Sequence, residues 1–137
     1  MTTFAALDHR IEVNSVVLSG WTTQIQWPIQ YEALEDTAFG DTARSRLAGL
    51  QDSTLQLNFN QDFAASAVDA TIGVARGTVI VVKGRPTTSA ISATNPEYVG
   101  SYLIADYSPF SASIGQLATT SMSWPLADPD GIARNTS

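Results

Sequence analysis

Trp21-Thr22-Thr23-Gln24-Ile25-Gln26-Trp27-Pro28-Ile29-Gln30-Tyr31 is the stretch whose reading decides the fold. Trp21, Ile25, Trp27, Ile29 and Tyr31, with Thr23 among them, fall on one phase of a two-residue period. Thr22, Gln24, Gln26, Pro28 and Gln30 fall on the other. Successive side chains of a strand point to opposite faces, so this is a strand of a sheet with one dry face and one wet face. Pro28 has no N–H to donate and sits on the wet phase, which marks an edge, a bulge or a bend.

The same period recurs on both sides of this stretch. Leu55, Leu57 and Phe59 alternate with Gln56, Asn58 and Asn60, and Ile114, Ala118, Met122, Trp124 and Leu126 alternate with Thr119, Ser121 and Ser123. Ile11, Val13 and Val17 form a noisier strand. Thr78 to Lys83 is continuously apolar and β-branched, the pattern of a strand buried on both faces. Residues 98–107, rich in Tyr, Val and Ile, read as a further strand. Two segments have helical spacing. Asp41 is placed to cap a helix ending at Leu50, with Ala43, Leu47 and Leu50 on one side. Asp62 is placed to cap a helix over 63–76, with Ala64, Val68, Ile72 and Ala75 as its stripe and Gly77 as its stop. Arg85-Pro86 and Asn95-Pro96 bound a polar loop, and Asp128-Pro129-Asp130-Gly131 marks another. Residues 32–41 form an acidic connection longer than a tight hairpin needs. The expected fold is mainly β: two packed antiparallel sheets, as a sandwich or small barrel, with a flanking α-helix and a long assembly loop.

The chain has 137 residues, 44% of them hydrophobic, which is one domain with one core. The domain is expected to fill 1–137, with short arms at 1–8 and 127–137. Only 15% of residues are charged, against about 25% in an average soluble domain. The net charge of −6 does not suit a protein that grips phosphates. Residues 1–62 carry most of the negative charge, a surface that would keep a polyanion from sticking. With no cysteine there is no disulfide framework, thiolate metal site or Cys nucleophile. The N-terminus lacks the pattern of a signal peptide, and the longest aliphatic run, Val79 to Val82, is far below the ~18 residues of a membrane span.

Little in the chain suggests chemistry. His9 is the single histidine, and general acid–base work needs a positioned partner as well. No G-x-S-x-G is present. Asp128 to Gly131 lacks the spacing and the bidentate Glu of a calcium loop and reads as a turn. Trp21, Trp27 and Trp124 lie on apolar phases and read as core, although exposed tryptophans could stack on sugars in a carbohydrate-binding sandwich. No catalytic residue, metal site or cofactor is expected.

The stretch Thr37-Ala38-Phe39-Gly40-Asp41-Thr42-Ala43-Arg44-Ser45-Arg46-Leu47-Ala48-Gly49-Leu50-Gln51-Asp52 resembles a segment of the tail tube, or major tail, proteins of long-tailed bacteriophages. In that family the segment follows a long hairpin and precedes an alternating strand, here Ser53 to Asn60. Asp62 to Ala70 resembles the helix that comes next. Ala93 to Tyr98 and Asp106 to Phe110 resemble a later hairpin in tail proteins of actinobacterial phages. The resemblance spans about His9 to Leu126 and implies a non-enzymatic virion protein. It implies rings of six subunits that stack into the tail tube, with one sheet per subunit forming the wall of a lumen through which DNA is delivered to the host. It also implies the partners: further copies of the chain, a tape measure protein, a tail tip and a tail terminator. Assembly is expected in the host cytoplasm and the final location in the virion tail, with no membrane contact.

In that reading Glu32, Glu35, Asp36, Phe39, Asp41, Arg44 and Arg46 form the subunit-contact loop, with Phe39 as its anchor. Gln24, Gln26 and Gln30 are the candidate lumen-facing residues, since a wall without Lys or Arg gives DNA no phosphate grip. Two alternatives remain: a tail terminator of the same fold, and a carbohydrate-binding β-sandwich.

Overall fold

The structure is a computed structural model that describes residues 8–137; most of the expected N-terminal arm, residues 1–7, lies outside the described residues. Among the described residues ten strands and one short α-helix form two packed sheets and a separate hairpin. The strands are β1 (Arg10–Val13), β2 (Val16–Val17), β3 (Thr22–Gln26), β4 (Gln30–Glu35), β5 (Arg46–Asp52), β6 (Thr54–Asn60), β7 (Val79–Arg85), β8 (Glu97–Leu103), β9 (Thr119–Pro125) and β10 (Ala133–Asn135). The helix α1 (Val68–Ile72) lies between β6 and β7.

The larger sheet has the order β10-β8-β7-β1-β2 and the smaller β3-β6-β9, with antiparallel pairing throughout. Their inner faces enclose the core, as alternation requires. Ile11, Val13, Ile80, Val82 and Tyr102 come from the larger sheet; Leu55, Leu57, Phe59, Met122 and Trp124 come from the smaller. Trp124 is fully buried and its Nε1–H donates to the Asp106 carbonyl at 3.1 Å, so it offers no face to a sugar. Trp21 and Trp27 are half-buried and pack on the same core. Trp21 Nε1–H donates to Asp62 at 2.9 Å, and Trp27 meets Tyr102 edge-on with ring centroids 5.8 Å apart. The 127–137 segment carries β10, which pairs with β8.

Several sequence expectations change here. The 78–83 strand is buried on one face only. Val79 and Val81 point outward and are exposed, because among the described residues nothing covers the outer face of the larger sheet at β7. The strand begun at Ile114 starts instead at Thr119, and Ile114 is a fully exposed loop residue. The 63–76 helix is shorter. Ser66, at φ 62°, holds a left-handed turn that delays the start to Val68, and the helix tightens into a 3-10 turn over Gly73–Ala75. Three residues of the expected stripe, Val68, Ile72 and Ala75, are buried, while the fourth, Ala64, precedes the helix and is exposed. Gly77, at φ 74°, ends the segment.

The 41–50 helix does not form. Residues 46–52 are β5, paired with β4, with Leu34 opposite Leu47, Ala33 opposite Ala48 and Glu35 opposite Arg46. A bulge at Gly49 adds a residue to β5, so by register Leu47 and Leu50 share a face although they are three apart. The three-residue spacing that suggested a helix is therefore the signature of a bulged strand.

Candidate functional site: the projecting arm and the surfaces around it

β3 leads into β4 and β5 leads into β6, so residues 22–60 form one long hairpin. Its lower half belongs to the smaller sheet. Its upper half, β4–β5, pairs with no other strand among the described residues and is exposed along almost its whole length. The two halves are divided at one level, by Pro28 on one side and Ser53 on the other. Pro28 cannot donate to the ladder, and the buried Ser53 hydroxyl binds its carbonyl. Tyr102 hydrogen-bonds the same Ser53 oxygen at 2.8 Å, tying the root of the arm to the core. Gln51 adds a second brace: its Oε1 accepts the Ile132 N–H at 2.7 Å. Gly131, whose φ of 80° suits glycine, packs against the Gln51 side-chain amide, so the Asp128–Gly131 turn serves as a buttress for the arm.

The arm replaces the expected acidic loop. Glu32 and Glu35 lie on β4, Arg46 opens β5, and only Asp36, Phe39, Asp41 and Arg44 belong to the connecting tip. The tip bonds to itself. The Ser45 N–H donates to Thr37 Oγ1 at 2.8 Å, and the Ala38 N–H donates to Asp41 Oδ2 at 2.8 Å. Asp41 thus shapes a turn rather than capping a helix. Gly40, at φ 96°, supplies the left-handed residue, and Phe39 beside it is fully exposed. Arg44 and Glu35 approach to 3.8 Å in solvent, a weak contact.

The arm's exposed leucines were not visible in the sequence. By register Leu34, Leu47 and Leu50 lie on one side, among Gln30, Glu32 and Asp52, and all three leucines are exposed. The pattern becomes legible only once 46–52 is paired with 30–35.

The outer face of the smaller sheet is the second surface. Opposed residues share a face, so Gln24, Asn58 and Ser121 form one row and Gln26, Gln56 and Ser123 the next. Gln24 Oε1 accepts from Asn58 Nδ2 at 2.9 Å. No residue of β3, β6 or β9 is charged. Gln30, on the same phase, lies beyond the break at Pro28 and stands at the base of the arm, opposite Asp52. Ile29 and Tyr31, expected on the dry side, are exposed for the same reason. The outer edge of β9 is occupied at Ser123, whose N–H reaches Asp106 Oδ1 at 3.2 Å. Among the described residues β3 is the other edge of this sheet.

The third surface lies at the end of the smaller sheet away from the arm. Phe63 and Phe110 stack there with centroids 5.7 Å apart, and both remain exposed. Ile114 and Leu117, in the loop before β9, are also exposed. Gln61 fastens this loop by donating to the Pro109 carbonyl at 2.9 Å and to Tyr107 Oη at 3.0 Å.

Burial pushes the Tyr107 phenol up to about 12; the bond from Gln61 opposes this, and Asp69 Oδ1, 2.8 Å away, adds to the rise. A tyrosine in the unfolded chain titrates near 10. The resulting stability is fully present below about pH 10 and is lost as pH rises through about 12. Urea unfolding at pH 9 and pH 11.5 should show a marked fall for the parent and a smaller one for Tyr107→Phe. Equal falls would mean that Tyr107 is not the titrating group.

His9 Nδ1–H donates to the Pro86 carbonyl at 2.8 Å, a contact that closes the 86–96 loop onto β1. Among the described residues, no group of three or more His, Cys, Asp or Glu is placed to hold a metal ion, and no helix is long and apolar enough to cross a membrane.

Neither a protein-family model nor a curated protein matches the sequence. Solved structures do match the fold. One is a chain in the virion of a native gene transfer agent (GTA) particle, with a TM-score of 0.71, 12% identity and coverage of 95% of each chain. Another is a chain in the tail of an empty GTA particle, solved by helical refinement with C6 symmetry. It has a TM-score of 0.63 and 13% identity, over 85% of this chain and 82% of that one. At such identities the likeness is one of fold, and it runs nearly end to end: this chain folds as a chain of a GTA virion and a chain of a GTA tail do.

Proposed function

We propose that this chain is a structural tail protein whose copies close into rings of six and stack into a tube, a conduit for DNA delivery. The observation that carries the reading is the arm: a braced hairpin with an apolar face that its own chain leaves uncovered. A monomer gains nothing by exposing Leu34, Leu47, Leu50 and Phe39, whereas an assembling subunit uses them. The fold shared with a chain of a C6-symmetric tail supports six copies per ring.

The three surfaces divide the work. The arm, with Glu32, Glu35, Asp36, Phe39, Asp41, Arg44 and Arg46, makes contacts between subunits. The edge at β3 supplies backbone donors and acceptors for ring closure, since a sheet closed on itself has no edge. The uncharged face carrying Gln24 and Gln26 lines the lumen, with Gln30 on the same phase at the base of the arm. The tape measure, tail tip and tail terminator are its partners, and the virion tail is its location. None of this calls for a catalytic residue.

Sedimentation velocity across a wide concentration range tests the assembly. Monomers are expected when dilute, with rings or tubes at high concentration or when seeded with tail tips. A species that stays monomeric under both conditions would remove the proposal.

A further inference from the structure

Closing a sheet into a barrel joins its two edges, and in the smaller sheet those edges are β3 and β9. The β9 edge is guarded. The Gln61 N–H donates to the Ala118 carbonyl and the Leu126 N–H to the Ser53 carbonyl, so in β9 the even-numbered residues turn their backbone groups toward β6. Thr119, Ser121, Ser123 and Pro125 turn theirs to the outer edge. Pro125 has no N–H, and the Ser123 N–H is taken by the Asp106 carboxylate at 3.2 Å. Asp106 opens a strap, residues 106–110, that follows this edge without forming a strand. Side chains fasten the strap. Trp124 Nε1–H donates to the Asp106 carbonyl at 3.1 Å, Thr120 Oγ1 to the Ser108 carbonyl at 2.9 Å and Gln61 to the Pro109 carbonyl at 2.9 Å. Thr120 and Trp124 are buried on the core side of β9, so the strap lies on that side and the Asp106 carboxylate reaches out to the edge. Among the described residues, that carboxylate makes the strap's one bond to the β9 backbone.

Resting on the tube reading, we propose that Asp106 is a latch: it holds the β9 edge closed in the free chain and gives way to the β3 backbone of a second copy when a ring closes. The Asp106 side chain is exposed, so in the free chain it keeps its water while it bonds Ser123. A strand that pairs with β9 must displace the carboxylate from the Ser123 N–H and strip water from its charge, which is how edge charges discourage pairing. It offers a neutral carbonyl in exchange, a weaker acceptor than a carboxylate. The incoming pairing is also modest. β3 and β9 both run antiparallel to β6, so the edges of two copies in one ring meet in parallel, a slightly weaker arrangement per residue. Two copies meeting once do not hold the latch open. In a closed ring each copy is held on both sides, and the last contact forms at high effective concentration. Asp106 therefore keeps free chains apart and raises the concentration at which rings appear. The strap itself stays in place, because Trp124, Thr120 and Gln61 hold its carbonyls and not the Asp106 side chain.

The concentration at which rings form, read by sedimentation, tests the latch. Asp106→Ala should assemble at least about tenfold below the parent's threshold, the scale of one hydrogen bond to a charged group. Asp106→Asn removes the charge at nearly constant size; it should shift the threshold the same way and carries the test if Asp106→Ala loosens the strap. Asp8→Asn makes the same change of net charge at an exposed residue outside the smaller sheet and should stay within about twofold of the parent. Amide-resolved hydrogen exchange reads the edge itself. The Ser123 amide should exchange faster in the Asp106→Ala monomer than in the parent monomer, and the Ser121 amide should become protected when the parent assembles. An unchanged threshold in both Asp106 variants, or an equal shift in Asp8→Asn, overturns the latch. A Ser121 amide that exchanges as fast in tubes as in the monomer overturns it too. These results leave the tube reading standing. If the parent chain forms neither rings nor tubes, the tube reading itself falls, and this inference with it.

Discussion

Phe39→Ser combined with Leu50→Ser should give a folded monomer that no longer polymerises. Both side chains stand in solvent in the monomer, where surface changes usually stay within about 0.5 kcal/mol. Neither belongs to the opposed pair Leu34 and Leu47, so the hairpin keeps its cross-strand contact. In an assembly each would be buried, at about 1.5–3 kcal/mol for a large apolar side chain. Losing two such contacts per subunit raises the concentration needed for assembly by at least about a hundredfold. Sedimentation reads the assembly and thermal unfolding reads the fold. Tubes forming at the parent's concentration would remove the arm from the subunit contact. Loss of the fold would show the two residues to be structural.

Gln24→Lys with Gln26→Lys should leave tubes intact and impede the passage of DNA. Both residues are exposed on the uncharged outer face of the smaller sheet, in rows completed by Asn58, Gln56, Ser121 and Ser123. Amides and hydroxyls offer phosphates only neutral hydrogen bonds, which water replaces at no cost in counterions. Lysine differs, because each phosphate contact adds about −0.9 to the logarithmic salt slope of binding to duplex DNA. Two lysines per subunit, repeated around every ring, would turn a neutral wall into a binding one. Delivery should be slowest at low salt and recover as salt is raised. Normal delivery at low salt through intact tubes would mean that this face does not line the lumen.

The sheets were legible in the sequence wherever one side of a strand meets the core. The alternations at 55–59 and 122–124 place Leu55, Leu57, Phe59, Met122 and Trp124 inside, where the structure has them. The helical stripe of Val68, Ile72 and Ala75 was legible for the same reason. The arm was not. Its strands pair with each other and with no core, so burial leaves no alternation there. The bulge at Gly49 also puts Leu47 and Leu50 at a spacing that a helix shares. Strand ends failed in a similar way. Pro28 separates β3 from β4 while the two-residue phase runs straight through it, so Ile29 and Tyr31, on the apolar phase, run out beyond the core and are exposed. Asp41 shows the limit of local signals: the carboxylate that would cap a helix shapes a hairpin tip equally well. The proposed assembly residues rest on the family resemblance rather than on periodicity, and the Phe63–Phe110 stack was visible to neither. Phe63 and Phe110 are 47 positions apart and meet only because Gln61 pulls the late loop against the end of β6.

Electron microscopy of the purified chain in negative stain, at high concentration and with tail-tip seeds, tests the central claim most directly. The account predicts six-fold rings that stack into tubes with an open lumen. Fields of isolated particles under both conditions would contradict it, and rings that never lengthen would point to a tail terminator instead.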